Sequence, residues 1–364
     1  MKHLIEYRDK QLARNIIKRI HTTSQKEVRI MEICGTHTVS ICRNGIREVL
    51  PAHIKLISGP GCPVCVTATE DIDKSIKIAH EPDVIVTTFG DLIRVPGSAS
   101  SLQEERASGA DIRVVYSTFD ALKIAADNPE KRVVFLGIGF ETTTPTIAAA
   151  ILEVKRKGIK NFYVLSSHKL IPPAMDALLS SGDINIHGFM CPGHVSCVIG
   201  AHAYLPVVQR YHTPCVVSGF EPVDILQTIY MLVKQLEEDE AKVEIQYKRG
   251  VTFDGNRNAV AIMEKVFESC DAPWRGLGVI PKSGLKLREE YGDYAAENAF
   301  DLSVPEAREH PGCQCGDVLK GVIIPLECPL FEKVCTPNHP VGPCMVSSEG
   351  SCAAYFKYHA RGAK

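Results

Sequence analysis

Apolar and polar positions follow two textures along the chain. Short runs rich in β-branched and aromatic residues recur: VRIMEI (28–33), HIKLIS (53–58), DVIVTTF (83–89), DIRVVYS (111–117), RVVFLGIG (132–139), NFYVLSS (161–167), IHGFM (186–190) and TPCVVSGF (213–220). Each closes on glycine, proline or small polar residues and leads into helix-like sequence. Nearly continuous apolar runs separated by helices predict βα units with parallel strands buried on both faces. The first twenty residues, MKHLIEYRDKQLARNIIKRI, mix charged and apolar residues at helical spacing and predict an amphipathic helix.

Eight strands fit one large sheet, but GFETTTPT (139–146) and GFEPVDIL (219–226) both follow an apolar strand and suggest duplication. The fold class expected is therefore α/β: two similar parallel-sheet βα domains facing a cleft. The stretch DNPEK (127–131) suggests a division into residues 26–128 and 129–280. After residue 281 the texture turns irregular, with proline- and cysteine-rich loops. This predicts a mainly helical or irregular third module, 281–364, joined by the N-terminal helix, 1–25.

In parallel sheets ligands gather beyond the carboxyl ends of the strands. The residues there are CGTHT (34–38), GPGCPVC (59–65), GDLIRVPG (90–97), GFETT (139–143), SSHK (166–169), CPGHVSC (191–197) and GFEP (219–222). Reactive residue types thus recur on the expected rim.

Composition narrows the field. At 364 residues the chain has room for two or three cores, and 45% hydrophobic with 23% charged residues is ordinary for a globular protein. No stretch reaches the roughly 18 apolar residues of a membrane span, and the N-terminus lacks the apolar centre of a secretory signal. A cytoplasmic location is expected. The net charge of -2 gives no electrostatic case for nucleic acid or an anionic membrane. Fourteen cysteines are many for a chain in a reducing compartment, which turns attention to metal binding or thiol chemistry.

Six of them, Cys313, Cys315, Cys328, Cys335, Cys344 and Cys352, fall in the last 52 residues. Irregular backbone with proline after cysteine (CPLF, CTPN) suits a four-cysteine iron-sulfur cluster. Zinc is one rival, although no paired C-x₂₋₄-C knuckle occurs there, and buried inert thiols are the other. Cys62 and Cys65 form a C-P-V-C turn with three readings. They are a redox pair whose pKa a helix N-terminus would lower, half of a metal site completed by Cys34 and His37, or a turn with two small buried thiols. Cys34 and His37, with Gly35 allowing close backbone approach, pair a soft thiolate with a base or second ligand. Glu141 and His194 are candidates for moving protons, or else a helix cap and a loop histidine.

The strings CGTHT, SGPGCPVCVT, VTTFGDLIRVPGS, LGIGFETTTPT, CPGHVS, VSGFEP and CPLFEKVCTPNHPVGPCMVSSEGSCAAYFKY resemble, in order and over nearly the whole length, the hydrogenase maturation factor HypD family. The resemblance implies a scaffold that assembles the Fe(CN)₂CO unit of NiFe-hydrogenases. Its partners are HypC, which shares the iron, and HypE, which delivers cyanide as thiocyanate with HypF acting upstream; the hydrogenase large subunit is an indirect partner. Carried over, Cys34 holds the iron, Cys62 and Cys65 are the electron-shuttling thiol pair, and Thr36, His37, Glu141 and His194 position or protonate ligands. The family's 4Fe-4S pattern, C-x₁₄-C-x₆-C-x₁₆-C, falls on Cys313, Cys328, Cys335 and Cys352, with Cys315 and Cys344 over. Whether the factor counts as an enzyme rests on its reductive cyanide transfer. The alternative is an iron-sulfur-dependent disulfide oxidoreductase acting on a protein substrate.

Overall fold

The computed structural model describes residues 6–182 and 184–359. All eight apolar runs form strands: β1 Val28–Glu32, β2 Ile54–Ser58, β3 Val84–Thr88, β4 Ile112–Val114, β5 Arg132–Gly137, β6 Phe162–Ser166, β7 Gly188–Pro192 and β8 Cys215–Ser218. Three more follow: β9 Val243–Ile245, β10 Phe267–Trp274 and β11 Gly278–Leu287. Every residue of β3, β7 and β8 is buried, as expected of parallel strands covered by helices on both faces.

The strands divide between two parallel sheets, and the chain interleaves them. One sheet has the order β2-β1-β7-β8-β9 and the other β4-β3-β5-β6. The chain leaves the first sheet after β2, builds the whole second sheet, and returns at β7 to pair with β1 through Ile30 and Gly188. The sheets therefore do not part at residues 128/129, because β3 and β5, on either side of that point, are neighbours. GFETT and GFEP do follow strands of different sheets.

The antiparallel hairpin β10–β11 runs across residue 281, where loss of strand texture was expected. It ties the sheets together. Trp274 donates to Ser283 Oγ and stacks on Phe140, Arg275 N donates to Val66 O, and Leu170 N donates to Ser283 O. At its other end Phe267, Leu285 and Leu287 pack into the core of the four-stranded sheet.

Helix α1, Lys10–Thr23, is capped by Asp9, whose side chain accepts from Leu12 N. Its buried face, Ile16 and Ile20, packs on the helix Pro222–Glu237 beside the five-stranded sheet rather than forming a core with residues 281–359. That C-terminal stretch continues from β11 into loops and short helices at Cys315–Lys320, Pro343–Val346 and Ser351–Tyr358. No helix among the described residues is long and apolar enough to cross a membrane.

Candidate functional site

β1, β2, β7 and β8 are adjacent in one sheet, so the loops after them meet at its carboxyl edge. Cys34 caps helix α2, Gly35–Arg43, directly after β1. The turn after β2 lies against it: Gly35 N donates to Gly61 O at 3.0 Å, and a Cβ on Gly61 would fall 2.0 Å from Cys34 N. Only glycine permits that approach. A Cβ on Gly193, after β7, would likewise fall 2.5 Å from Ser218 O of β8. The result brings CGTH, GPGCPVC, PGHVS and GFEP together, although 184 residues lie between Cys34 and Gly219.

The site is buried at Cys34, Glu32 and His37 and opens toward solvent at His194. The ring of His194 stacks on Phe220 with centroids 3.9 Å apart, and His37 lies 5.1 Å from the same ring. His37 is fully buried, and neither ring nitrogen makes a well-formed hydrogen bond, with the Ser218 and Gly219 backbone nearby. Burial lowers its pKa to about 4, leaving a neutral imidazole at physiological pH. Two carboxyl groups flank Cys34. Glu32, buried at the end of β1, accepts from Cys34 N at 3.1 Å and from the Thr38 hydroxyl, and burial pushes its pKa up to about 7. Glu349, from the C-terminal segment, accepts from Thr36 Oγ1 at 2.6 Å. Burial first, then Glu349 and, more weakly, Glu32 push the Cys34 thiol up to about 12. Burial opposes any isolated charge at that sulfur, and the two carboxyl groups add to its preference for the neutral thiol.

Cys62 is the N-cap of the one-turn helix α3, Pro63–Val66, and Cys65 lies within it. Their sulfurs lie 2.6 Å apart and both are buried, close enough for a disulfide after a small movement. The expected lowering of a thiol pKa by a helix N-terminus is not what Cys65 shows: burial drives it well above the ordinary value. Cys65 is also within hydrogen-bonding reach of Cys344, which reaches Cys315 and Cys352 in turn. Cys315 and Cys344 sulfurs are 2.9 Å apart, and Cys315 reaches Cys313.

All six C-terminal cysteines line one small apolar cavity of about 20 Å³, with Leu330, Phe331 and Met345 among its walls. The donor set is chemically that of a thiolate-bound cluster. Among the described residues, however, no three His, Cys, Asp or Glu side chains converge in the geometry that grips a metal ion. Both Cys315 and Cys344, left over in the spacing pattern, belong to the sulfur network as fully as Cys313 and Cys352.

Glu141 lies elsewhere. Its Oε1 accepts from Ile171 N at 3.0 Å at the start of the helix Ile171–Ser181, while Oε2 has no partner among the described residues. Burial raises its pKa to about 7. Its link to the rest is through the core: Tyr204, within range of its charge, bonds Ser196 of the PGHVS segment. Sequence reasoning missed Glu32, Glu349 and Phe220. Glu32 is the single acid at the end of a buried strand, a legible signal; Glu349, in the polar loop SSEGS, has none.

Comparisons with known proteins agree with the strings quoted above. The family model described as "HypD: Hydrogenase formation hypA family" matches residues 11–359. The chain is 47% identical over 367 residues to the hydrogenase expression/formation protein HupD of Azotobacter chroococcum, covering 98% of this chain and 97% of that one. It is 46% identical over 368 residues to the hydrogenase maturation factor HypD of Cupriavidus necator, with 98% and 97% covered. A putative hydrogenase expression/formation protein of Methanocaldococcus jannaschii is 44% identical over 359 residues, with 98% and 99% covered.

Proposed function

The chain belongs to the HypD hydrogenase-formation family, and from that premise we propose that it assembles the Fe(CN)₂CO unit on Cys34, with HypC as iron-sharing partner and HypE as cyanide donor charged with HypF's help. The observation that carries the proposal is the meeting of Cys34 with the Cys62–Cys65 turn through the Gly35–Gly61 contact. An iron-binding thiol and a two-electron thiol pair share one buried edge.

Iron is the cargo here. It would replace the Cys34 proton and be drawn by Glu32 and Glu349, while His37, neutral and unpartnered, and His194 offer nitrogen donors or protons to ligands. Thr36 is held toward the site by Glu349. Burial of Cys34 and His37 limits the access of water to that side of the site, which would slow exchange of cyanide and carbonyl ligands.

Cyanide release needs two electrons. A thiocyanate and the two thiols of Cys62 and Cys65 give the donor's free thiol, hydrogen cyanide and a Cys62–Cys65 disulfide; one S–C bond breaks, one S–S bond forms, and both thiol protons leave with the products. Glu141, with its pKa near 7, is placed to act only through the Tyr204–Ser196 contact and is assigned a positioning role. The C-terminal cysteines Cys313, Cys328, Cys335 and Cys352 would hold a 4Fe-4S cluster, which supplies electrons when bound. The Cys65–Cys344 contact supports a thiol path between the dithiol and that segment.

The contact also favours the second reading, a disulfide oxidoreductase acting on a protein. The two separate on cyanide. Cys62→Ala, given thiocyanate-charged HypE, HypC and reductant, should leave HypE charged and release no cyanide; discharge at the wild-type rate overturns the dithiol step.

A further inference from the structure

β2 is an edge strand: β1 pairs with one side and no strand among the described residues takes the other. His53 O accepts from Val28 N, and Gly59 N donates to Glu32 O. In a parallel ladder these bonds direct residues 53, 55, 57 and 59 toward β1 and leave the backbone groups of Leu56 and Ser58 facing outward. Along this open side runs a groove of about 400 Å³ whose far wall is Val318 and residues 321–325. That wall does not close the sheet. Val322 N and Ile323 N both turn back to Asp317 O, and no backbone hydrogen bond joins the described residues of the wall to β2.

The groove has two chemical characters. Ile54, Leu56, Ile57, Val318, Val322 and Ile324 make it apolar. Val322 and Ile324 are 50% and 42% exposed, and Leu326, 40% exposed, continues the same wall. Against this stand three cations, Arg29, Arg47 and Lys55. Arg47 contacts Cys42 Sγ at 3.2 Å, Ser58 Oγ at 3.4 Å, the Leu56 carbonyl at 3.5 Å and the Tyr355 ring. Among the described residues none of the three forms an ion pair, and only Arg47 feels a carboxylate, that of Glu32. The one acid lining the groove, Glu327, is occupied by Ile324 N at 2.8 Å.

We propose that this groove receives an extended, acidic segment of a partner protein as an added strand on β2. An open strand edge supplies backbone pairing, and alternate side chains of a bound strand would meet the apolar wall and the cations in turn. A second copy of this chain fits less well. Two β2 edges paired about a twofold axis would bring Arg29 and Lys55 of each copy against those of the other, and like charges repel across an interface. The groove lies behind the Cys34 site: Arg47 and Ser58, which line it, both act on Glu32.

The test uses the full chain and two fluorescein-labelled peptides, Asp-Val-Glu-Val-Asp and Lys-Val-Lys-Val-Lys, read by fluorescence anisotropy at low salt. The acidic peptide should bind at least tenfold more tightly. Arg29→Glu with Lys55→Glu, both exposed positions, should weaken it at least tenfold with unchanged circular dichroism, and amide exchange at Leu56 and Ser58 should slow on binding. Equal binding of the two peptides, no binding of either, an unchanged double variant, or protection outside 54–58 would overturn the proposal. So would a concentration-dependent dimer that the double variant abolishes, which would assign the groove to a second copy.

Discussion

Glu349 Oε1 accepts a 2.6 Å hydrogen bond from Thr36 Oγ1, which ties the loop between Cys344 and Cys352 to the helix that opens beside Cys34. A Cβ on Gly35 would fall 2.5 Å from the Glu349 backbone oxygen, so the two segments touch along their main chains as well. The carboxylate adds negative potential at the thiol. Glu349→Gln keeps the shape and removes the charge, so the Cys34 pKa should fall. Labelling with iodoacetamide near pH 9, followed by mass spectrometry, should show roughly threefold more reaction at Cys34 than in the wild type, because a lower pKa leaves more thiolate. Unchanged labelling would remove Glu349 from the site's electrostatics.

Gly61 tests the contact between the two cysteine motifs. Its missing Cβ leaves room for Ile33 and Cys34 backbone, 2.3 and 2.0 Å from where it would sit. Gly61→Ala should cost about 1–3 kcal/mol in denaturant unfolding, the usual size of an overpacked interior. Gly90→Ala, whose Cβ would meet Val114 Cγ1 at an ordinary 3.6 Å, should cost under about 0.5 kcal/mol. Equal costs would contradict the close approach.

Glu141 predicts a pH dependence. Its folded pKa, about 7, exceeds the ordinary 4.5, so between these values the folded chain binds more protons than the unfolded chain. Stability from this group is present below about pH 4.5 and is lost as pH rises toward 7. Glu141→Gln keeps the acceptor for Ile171 N and removes the titration. The variant should gain on the order of 2 kcal/mol relative to the wild type between pH 4.5 and 7.5, measured as the difference of two urea curves at each pH. A constant difference across that range would contradict a buried, raised carboxyl.

Much of this was legible in the chain. The eight strands were, because β-branched apolar runs ending in glycine leave little choice of structure. So was the rim, since Cys34, Cys62 and His194 follow directly on strands. The partition of strands between sheets was not: nothing local to IHGFM says that β7 returns to pair with β1 across the whole second sheet. The hairpin β10–β11 was hidden by Pro273 and Pro281 inside its strands and by its polar outer face. Contacts such as Glu349 with Thr36 or Cys65 with Cys344 join residues about 280 or more positions apart, where spacing carries no information.

The sulfur network predicts a pairing order. Cys65 reaches both Cys62 and Cys344. Mild oxidation with diamide should join Cys62 to Cys65 first. In Cys62→Ser the same treatment should join Cys65 to Cys344, as peptide mapping under non-reducing conditions would show. Pairing of Cys65 with Cys191 or Cys215 instead would contradict the arrangement.

Cys34 is proposed to hold iron carrying cyanide and carbonyl. Infrared spectroscopy of the anaerobically purified chain, with and without HypC, should show cyanide and carbonyl stretching bands in the wild type and none in Cys34→Ala. Bands retained in Cys34→Ala, or absent throughout in the presence of active HypC, HypE and HypF, would contradict it.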